Sequence, residues 1–315
     1  MNMKKWITAL LLAAPLLAQG ASPTAITIGY QKSSGLLAIL KNQGTLEKAF
    51  AAQSLQIKWI EFPAGPQILE ALNAGSIDFG STGAPPPVFA QAAGIDLLYV
   101  GAEPAPVNSE AIFVPKDSAL RAVADLKGKR IAFQKGSGSH FLLASALQKA
   151  GLKLGDIVPI YLSPSEARAA FVSGNIDAWV VWDPYFASAQ KSYQVRVLSD
   201  YQGLPQANGF YLASRRFAEQ SPKTVAALLE QVALTGQWAN QHQHEVSAML
   251  APTMGLPIEI VETWQRRTRY GAIPVSTDIA ANQQRVADLF YEQKLIPKAV
   301  SVAGKVWVWQ RGGGR

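Results

Sequence analysis

The 315-residue chain contains no cysteine. That absence excludes disulfides, thiolate metal sites, iron–sulfur clusters and every cysteine nucleophile. Histidine is scarce, with three residues. His242 and His244 lie two apart in a stretch that reads as helix, so they face different sides and make no metal pair. His140 follows Ser137 and Ser139, but no third partner completes a nucleophile–base–orienter set. Glu61, Glu70 and Glu103 show no acid–base or metal spacing. No Gly-x-x-x-x-Gly-Lys-Ser/Thr loop occurs, and Gly136-Ser137-Gly138-Ser139-His140 lacks the third glycine of a dinucleotide fingerprint. Charge is not one-sided: 29 Lys+Arg stand against 22 Asp+Glu, a net +7. The excess is scattered rather than gathered into the patch a nucleic-acid binder needs. Its densest cluster, Arg266, Arg267 and Arg269, reads as a solvated helix face. The chain is therefore expected to be no enzyme, to bind no nucleic acid, and to need no metal or cofactor.

What is present is globular in composition, 49% hydrophobic, and long enough for two ordinary domains. Lys4 and Lys5 precede an apolar run from Ile7 to Ala18, and Ala18-Gln19-Gly20 offers small residues at the cleavage positions. Residues 1–20 read as a secretory signal peptide, the run being shorter than the roughly 20 residues that span a bilayer. With no cysteine to carry a lipid anchor, the mature chain is expected to be exported, soluble and retained in a periplasm.

The chain also repeats itself. Tyr30-Gln31-Lys32-Ser33-Ser34-Gly35 returns as Phe133-Gln134-Lys135-Gly136-Ser137-Gly138, and Leu72-Asn73-Ala74-Gly75-Ser76-Ile77-Asp78 returns as Phe171-Val172-Ser173-Gly174-Asn175-Ile176-Asp177. Each copy reads as alternating strands and helices, with Gly44, Gly75, Gly151 and Gly174 placed as left-handed helix ends. Strand–helix alternation implies parallel sheet and an α/β fold. The segment after about Gly209 reads as mostly helical and is expected to pack back on the first lobe. The simplest architecture is a two-lobed clamshell, with residues 21–108 and 209–315 in one lobe and 109–208 in the other.

In open α/β sheets a ligand lies beyond the carboxyl ends of the strands. Three turns there combine glycine with hydroxyl residues before a helix: Gly29 to Gly35, Gly80-Ser81-Thr82-Gly83-Ala84-Pro85-Pro86, and Gln134 to His140. Free N–H groups and the positive end of the helix dipole suit an anion at such a place. Ordinary capping by Ser and Thr explains any one such turn, whereas three converging on a cleft point to a ligand. Trp182 is placed to wall an alkyl or aromatic tail or to pack in the core, with Trp179 and Phe186 assigned to the core. Asp183 is placed either to orient a ligand amine or to cap its turn.

Several of these stretches resemble the periplasmic aliphatic sulfonate-binding proteins of ABC importers. They are Tyr30-Gln31-Lys32, Glu61 to Gln67, Ala71-Leu72-Asn73, Gly80 to Gly83, Phe133 to Ser137, Ala178-Trp179 through Tyr185, and Thr253 to Pro257. The resemblance runs from about Thr27 to Trp309. It implies a type II periplasmic binding protein, a monomer that delivers alkanesulfonates to an inner-membrane permease. Taurine, nitrate and other oxyanions are the ligands of related branches. Carried over by position, the ligand-binding residues are Gln31, Ser81, Thr82, Gly83, Gly136, Ser137, Ser139, His140, Trp182 and Asp183. The chain departs from the family at Ala84, where an acidic residue is common, and at Gly138, where serine is common.

Overall fold

The structure is a computed structural model that describes residues 24–31, 35–105, 108–205 and 207–309; the expected signal segment and Lys32 to Ser34 lie outside them. Ten strands among these residues form two five-stranded sheets. The first repeat supplies β1 (Ala25–Gln31), β2 (Gln56–Phe62), β3 (Phe79–Thr82) and β4 (Leu97–Ala102). After β5 (Glu110–Pro115), the second supplies β6 (Arg130–Phe133), β7 (Val158–Tyr161), β8 (Ala178–Trp182) and β9 (Val195–Ser199), and β10 (Phe210–Ser214) follows. The strand orders, β2-β1-β3-β10-β4 and β7-β6-β8-β5-β9, are the same plan used twice.

The sheets are mixed rather than wholly parallel. β10 runs antiparallel between β3 and β4, and β5 runs antiparallel between β8 and β9. Each is the strand with which the chain enters one sheet after leaving the other. The segment after Gly209 therefore opens with a strand before the mostly helical stretch that was expected.

The second repeated motif holds each sheet together in the same way. Asp78 Oδ2 accepts from the Thr27 backbone N–H at 2.9 Å, and Asp177 Oδ2 accepts from that of Arg130 at 2.7 Å. Each carboxylate thus ties the approach to one strand to the neighbouring one. Ile77 and Ile176 beside them are buried. Gly75 and Gly174 both have φ of 71°, the left-handed conformation that glycine adopts without a Cβ penalty.

One face of the first sheet is covered by helices 35–43, 222–241, 243–254 and 258–265, which share a core with Ile26, Ile28, Leu98 and Tyr211. These helices pack on the first lobe as expected, but helix 277–292 does not stop there. Its Phe290 is fully buried, 5.1 Å from the Phe89 ring and 5.2 Å from that of His140, so it touches both lobes. Burying one such side chain contributes roughly 1.5–3 kcal/mol.

Candidate ligand cleft

A cavity of about 200 Å³ opens between the two sheets at the carboxyl ends of β1, β3 and β8. Gln31, Ser81, Thr82 and Gly83 line it from the first lobe, and Ser137, Trp182 and Asp183 from the second. Gly136, Ser139 and His140 are not brought to it. The Gly136 Cα faces the Phe89 ring, and Ser139 is fully buried. His140 lies among Phe89, Phe133 and Phe290, and its Nδ1 accepts from the Gly136 N–H at 3.1 Å. Burial first, and the Lys135 charge second, push its imidazole down to about 3, so it is neutral. The helix that begins at Gly138 carries these side chains around to its buried faces, away from the turn that reaches the cleft.

Helices 35–43, 65–73 and 138–149 begin at cavity residues, Gly35, Gly65 and Gly138. The cap residues of the last two, Ala64 and Ser137, make no side-chain capping bond. Ser163, Ser214 and Ser276 do cap their helices elsewhere in the fold. Simple capping is therefore not the work of Ser137, whose hydroxyl donates instead to the Gln134 carbonyl at 2.7 Å. Helix 85–92 corrects the expectation differently: Pro85, Pro86 and Pro87 fill its first three positions and remove three N–H donors. Donors on that wall must come from the Ser81 and Thr82 hydroxyls and from the backbone before the prolines. Thr82 Oγ1 donates to the Gly83 carbonyl at 3.0 Å, while the Ser81 hydroxyl makes no hydrogen bond among the described residues. Leu36, Pro66, Pro86, Trp182 and Trp264 give the cavity an apolar wall.

Asp183 caps helix 185–192 by accepting from the Ala187 N–H at 2.9 Å, and it pairs with Arg267 at 3.2 Å. Burial lifts its carboxyl to about 6, although the Arg267 charge opposes this. The pairing corrects the solvated-helix account of Arg267, whose guanidinium lies 4.7 Å over the Phe186 ring and bonds Gln190. Arg269, from the same cluster, lines the cavity. The sequence spacing also passed over Glu103, Glu110, Tyr211, Trp264 and Tyr270, all of which line it. Glu103 and Glu110 follow or begin strands, so only the order of strands in the sheets brings them to the cleft. Burial raises Glu103 to about 7, against the opposing bond from Tyr211; burial and then the Asp183 charge raise Glu110 to about 8. Among the described residues no group of His, Cys, Asp and Glu is placed to hold a metal ion. The cleft can hold an anionic head against hydroxyls and uncapped helix ends, with an apolar tail beside it.

Two lobes of one plan, linked by exchanged strands and open to a small polar cleft between their strand ends, define a two-lobed solute-binding protein. The periplasmic aliphatic sulphonate binding protein SsuA from Escherichia coli has this structure, with a TM-score of 0.85 at 47% identity over 93% of this chain and 95% of that one. A family model described as NMT1/THI5 like matches residues 49–246, and the chain belongs to the aliphatic sulfonate-binding proteins of that family. The alkanesulfonate-binding protein SsuA from Xanthomonas axonopodis pv. citri, solved bound to MOPS, matches with a TM-score of 0.86 at 46% identity over 91% of this chain and 99% of that one. The taurine-binding periplasmic protein of Escherichia coli (strain K12) is 30% identical over 222 residues, 69% of this chain and 67% of that protein. These relatives are binding proteins, and so is this chain.

Proposed function

We propose that the protein captures aliphatic sulfonates in this cleft and delivers them to an inner-membrane ABC permease. In this account residues 1–20 are cleaved on export, and the mature chain works as a periplasmic monomer. The lobes that close on the ligand are 21–108 with 209–315, and 109–208. The observation that carries the ligand assignment is the wall at the end of β3. There the Ser81 hydroxyl, without a protein partner among the described residues, lines the cavity with Thr82 and Gly83. A sulfonate is fully ionised at neutral pH and has no proton to give, so its site needs donors rather than acceptors. Donors supplied by hydroxyls and backbone avoid the desolvation penalty of a buried countercharge. The apolar wall of Leu36, Pro86, Trp182 and Trp264 suits an alkyl chain and has no use for a bare nitrate. Ligand contacts with both lobes would bias an existing open–closed equilibrium toward the closed form.

Calorimetric titration against short and long alkanesulfonates, taurine, nitrate and sulfate tests this. Saturable binding of the sulfonates, with heat that depends on chain length, is expected. Binding confined to nitrate or sulfate contradicts the assignment.

A further inference from the structure

Besides the two segments where the chain passes between the lobes, a guanidinium makes a polar tie across them. The chain crosses after β4 and after β9, and the crossings are bonded to each other. The Glu103 N–H donates to the Gly209 carbonyl at 2.8 Å, and Asn208 Nδ2 donates to the Glu103 carbonyl at 2.9 Å. The ion pairs Arg130–Asp177, Arg215–Asp96 and Lys305–Asp96 each lie inside one lobe. Arg267 belongs to the first lobe, two residues past helix 258–265, whereas Asp183, Phe186 and Gln190 belong to the second.

Those three side chains form a socket. They are spaced by three and four residues, so they follow one stripe at and along helix 185–192. Arg267 Nη1 donates to both Asp183 carboxylate oxygens at 3.3 and 3.2 Å, Nη2 donates to Gln190 Oε1, and the guanidinium lies 4.7 Å over the Phe186 ring. A planar fork engages a carboxylate, a ring face and an amide at once, which the point charge of a lysine does not. The Asp183 side chain is 1% exposed and is also held by the Ala187 N–H, so the pair is shielded from water while the lobes stand together. An ion pair is stronger there than in water, and separating the lobes wets both partners.

The tie is joined to the cleft from both sides. Trp264 lines the cavity, and its carbonyl accepts from the Arg267 N–H at 2.9 Å. Trp182 lines it too and immediately precedes Asp183. Helix 258–265 packs against helix 185–192 beside the pair. A ligand seated between the two tryptophans draws together the walls that carry the pair, and the pair in turn resists the opening through which the ligand leaves.

We propose that Arg267 is an interlobe latch, a positioning residue that holds the cleft shut over a bound sulfonate and sets how slowly it departs. The proposal rests on the sulfonate assignment above. Arg267 acts through the second lobe rather than by touching the ligand.

The test is the dissociation rate of 1-butanesulfonate, read by tryptophan fluorescence after rapid dilution of the complex, since Trp182 and Trp264 line the cavity. Arg267→Met is expected to speed release roughly 30-fold or more, the range for truncating one partner of a buried charge pair at an interface. Gln190→Ala removes an exposed latch contact that lies outside the cavity, and is expected to speed release roughly two- to tenfold with melting unchanged. Arg267→Lys is expected to fall between the wild type and Arg267→Met. If Arg267 only shields the ligand from the Asp183 charge, lysine restores the wild-type rate and Gln190→Ala changes nothing. That result overturns the latch and leaves the sulfonate assignment standing, and it can be reached even if Arg267→Met does not fold. A wild type that does not bind 1-butanesulfonate overturns both.

Discussion

Replacing Ser81 by alanine separates a ligand donor from a structural hydroxyl. Ser81 is 2% exposed and its backbone is paired with Tyr211 across β10. Its hydroxyl makes no hydrogen bond among the described residues, so its removal breaks nothing in the empty protein. Free-protein stability should change by no more than about 0.5 kcal/mol, or roughly 2 °C in melting temperature for a chain of this size. In the complex the same change removes a donor from an ionised sulfonate in a site closed to water. A hydrogen bond to a charged group contributes about 1.5–3 kcal/mol, so Kd rises roughly 10- to 150-fold. Thr82→Val is the control, because its hydroxyl already bonds the Gly83 carbonyl and its loss lowers melting as well as affinity. Calorimetric titration with 1-butanesulfonate, paired with scanning calorimetry of the free protein, reads both quantities. An unchanged Kd for Ser81→Ala, or a loss of melting temperature in step with the loss of affinity, refutes the reasoning.

Arg267→Met strips the partner from the buried Asp183 carboxylate and should cost about 3 kcal/mol in urea unfolding. Adding Asp183→Asn should restore most of that loss, whereas simple additivity would contradict the pairing. His140 is held neutral in the native state with its imidazole down at about 3, so between the usual 6.5 and that value only the unfolded chain takes up the proton. Its contribution is complete above pH 6.5 and is lost as pH falls toward 3; His140→Phe should remove that acid-side slope, and an unchanged slope counts against it. Glu103 and Glu110 have the opposite sign, because the native state keeps protons up to about 7 and 8 that the unfolded chain loses near 4.5. Stability present below pH 4.5 is lost as pH rises through those values. Glutamine at both positions should flatten the decline of the ligand-free melting temperature between pH 5 and 8, and no change would contradict the burial argument.

The two lobes were legible because the repeat carries its own structural chemistry. Gly75 and Gly174 need a positive φ, and Asp78 and Asp177 tie neighbouring strands, so both copies keep the same letters. The exchanged strands β5 and β10 were not legible, since their place is decided by pairing with distant partners rather than by local pattern. β4, Leu97 to Ala102, is buried along its whole length and shows no alternation to mark it. In the cleft, the residues that end strands were readable from turn chemistry, as Ser81, Thr82 and Trp182 show. His140 was misplaced because helix rotation, which the turn does not announce, swings it into the aromatic cluster around Phe290. Glu103, Tyr211, Trp264 and Tyr270 reach the cavity only through tertiary packing. Nothing in the fold explains the departure at Ala84: its backbone carbonyl accepts from Gln283 Nε2 at 2.7 Å, a bond open to any residue there, which ties helix 277–292 to the turn after β3.

The most direct test of the account is a crystal structure of the protein grown with 1-butanesulfonate. The sulfonate oxygens are expected beside the Ser81 and Thr82 hydroxyls and the Gly83 backbone, with the butyl chain along Leu36 and Trp182. A sulfonate found at the Gly138 helix end, or outside the cleft between the lobes, would contradict the anion wall on which the account rests.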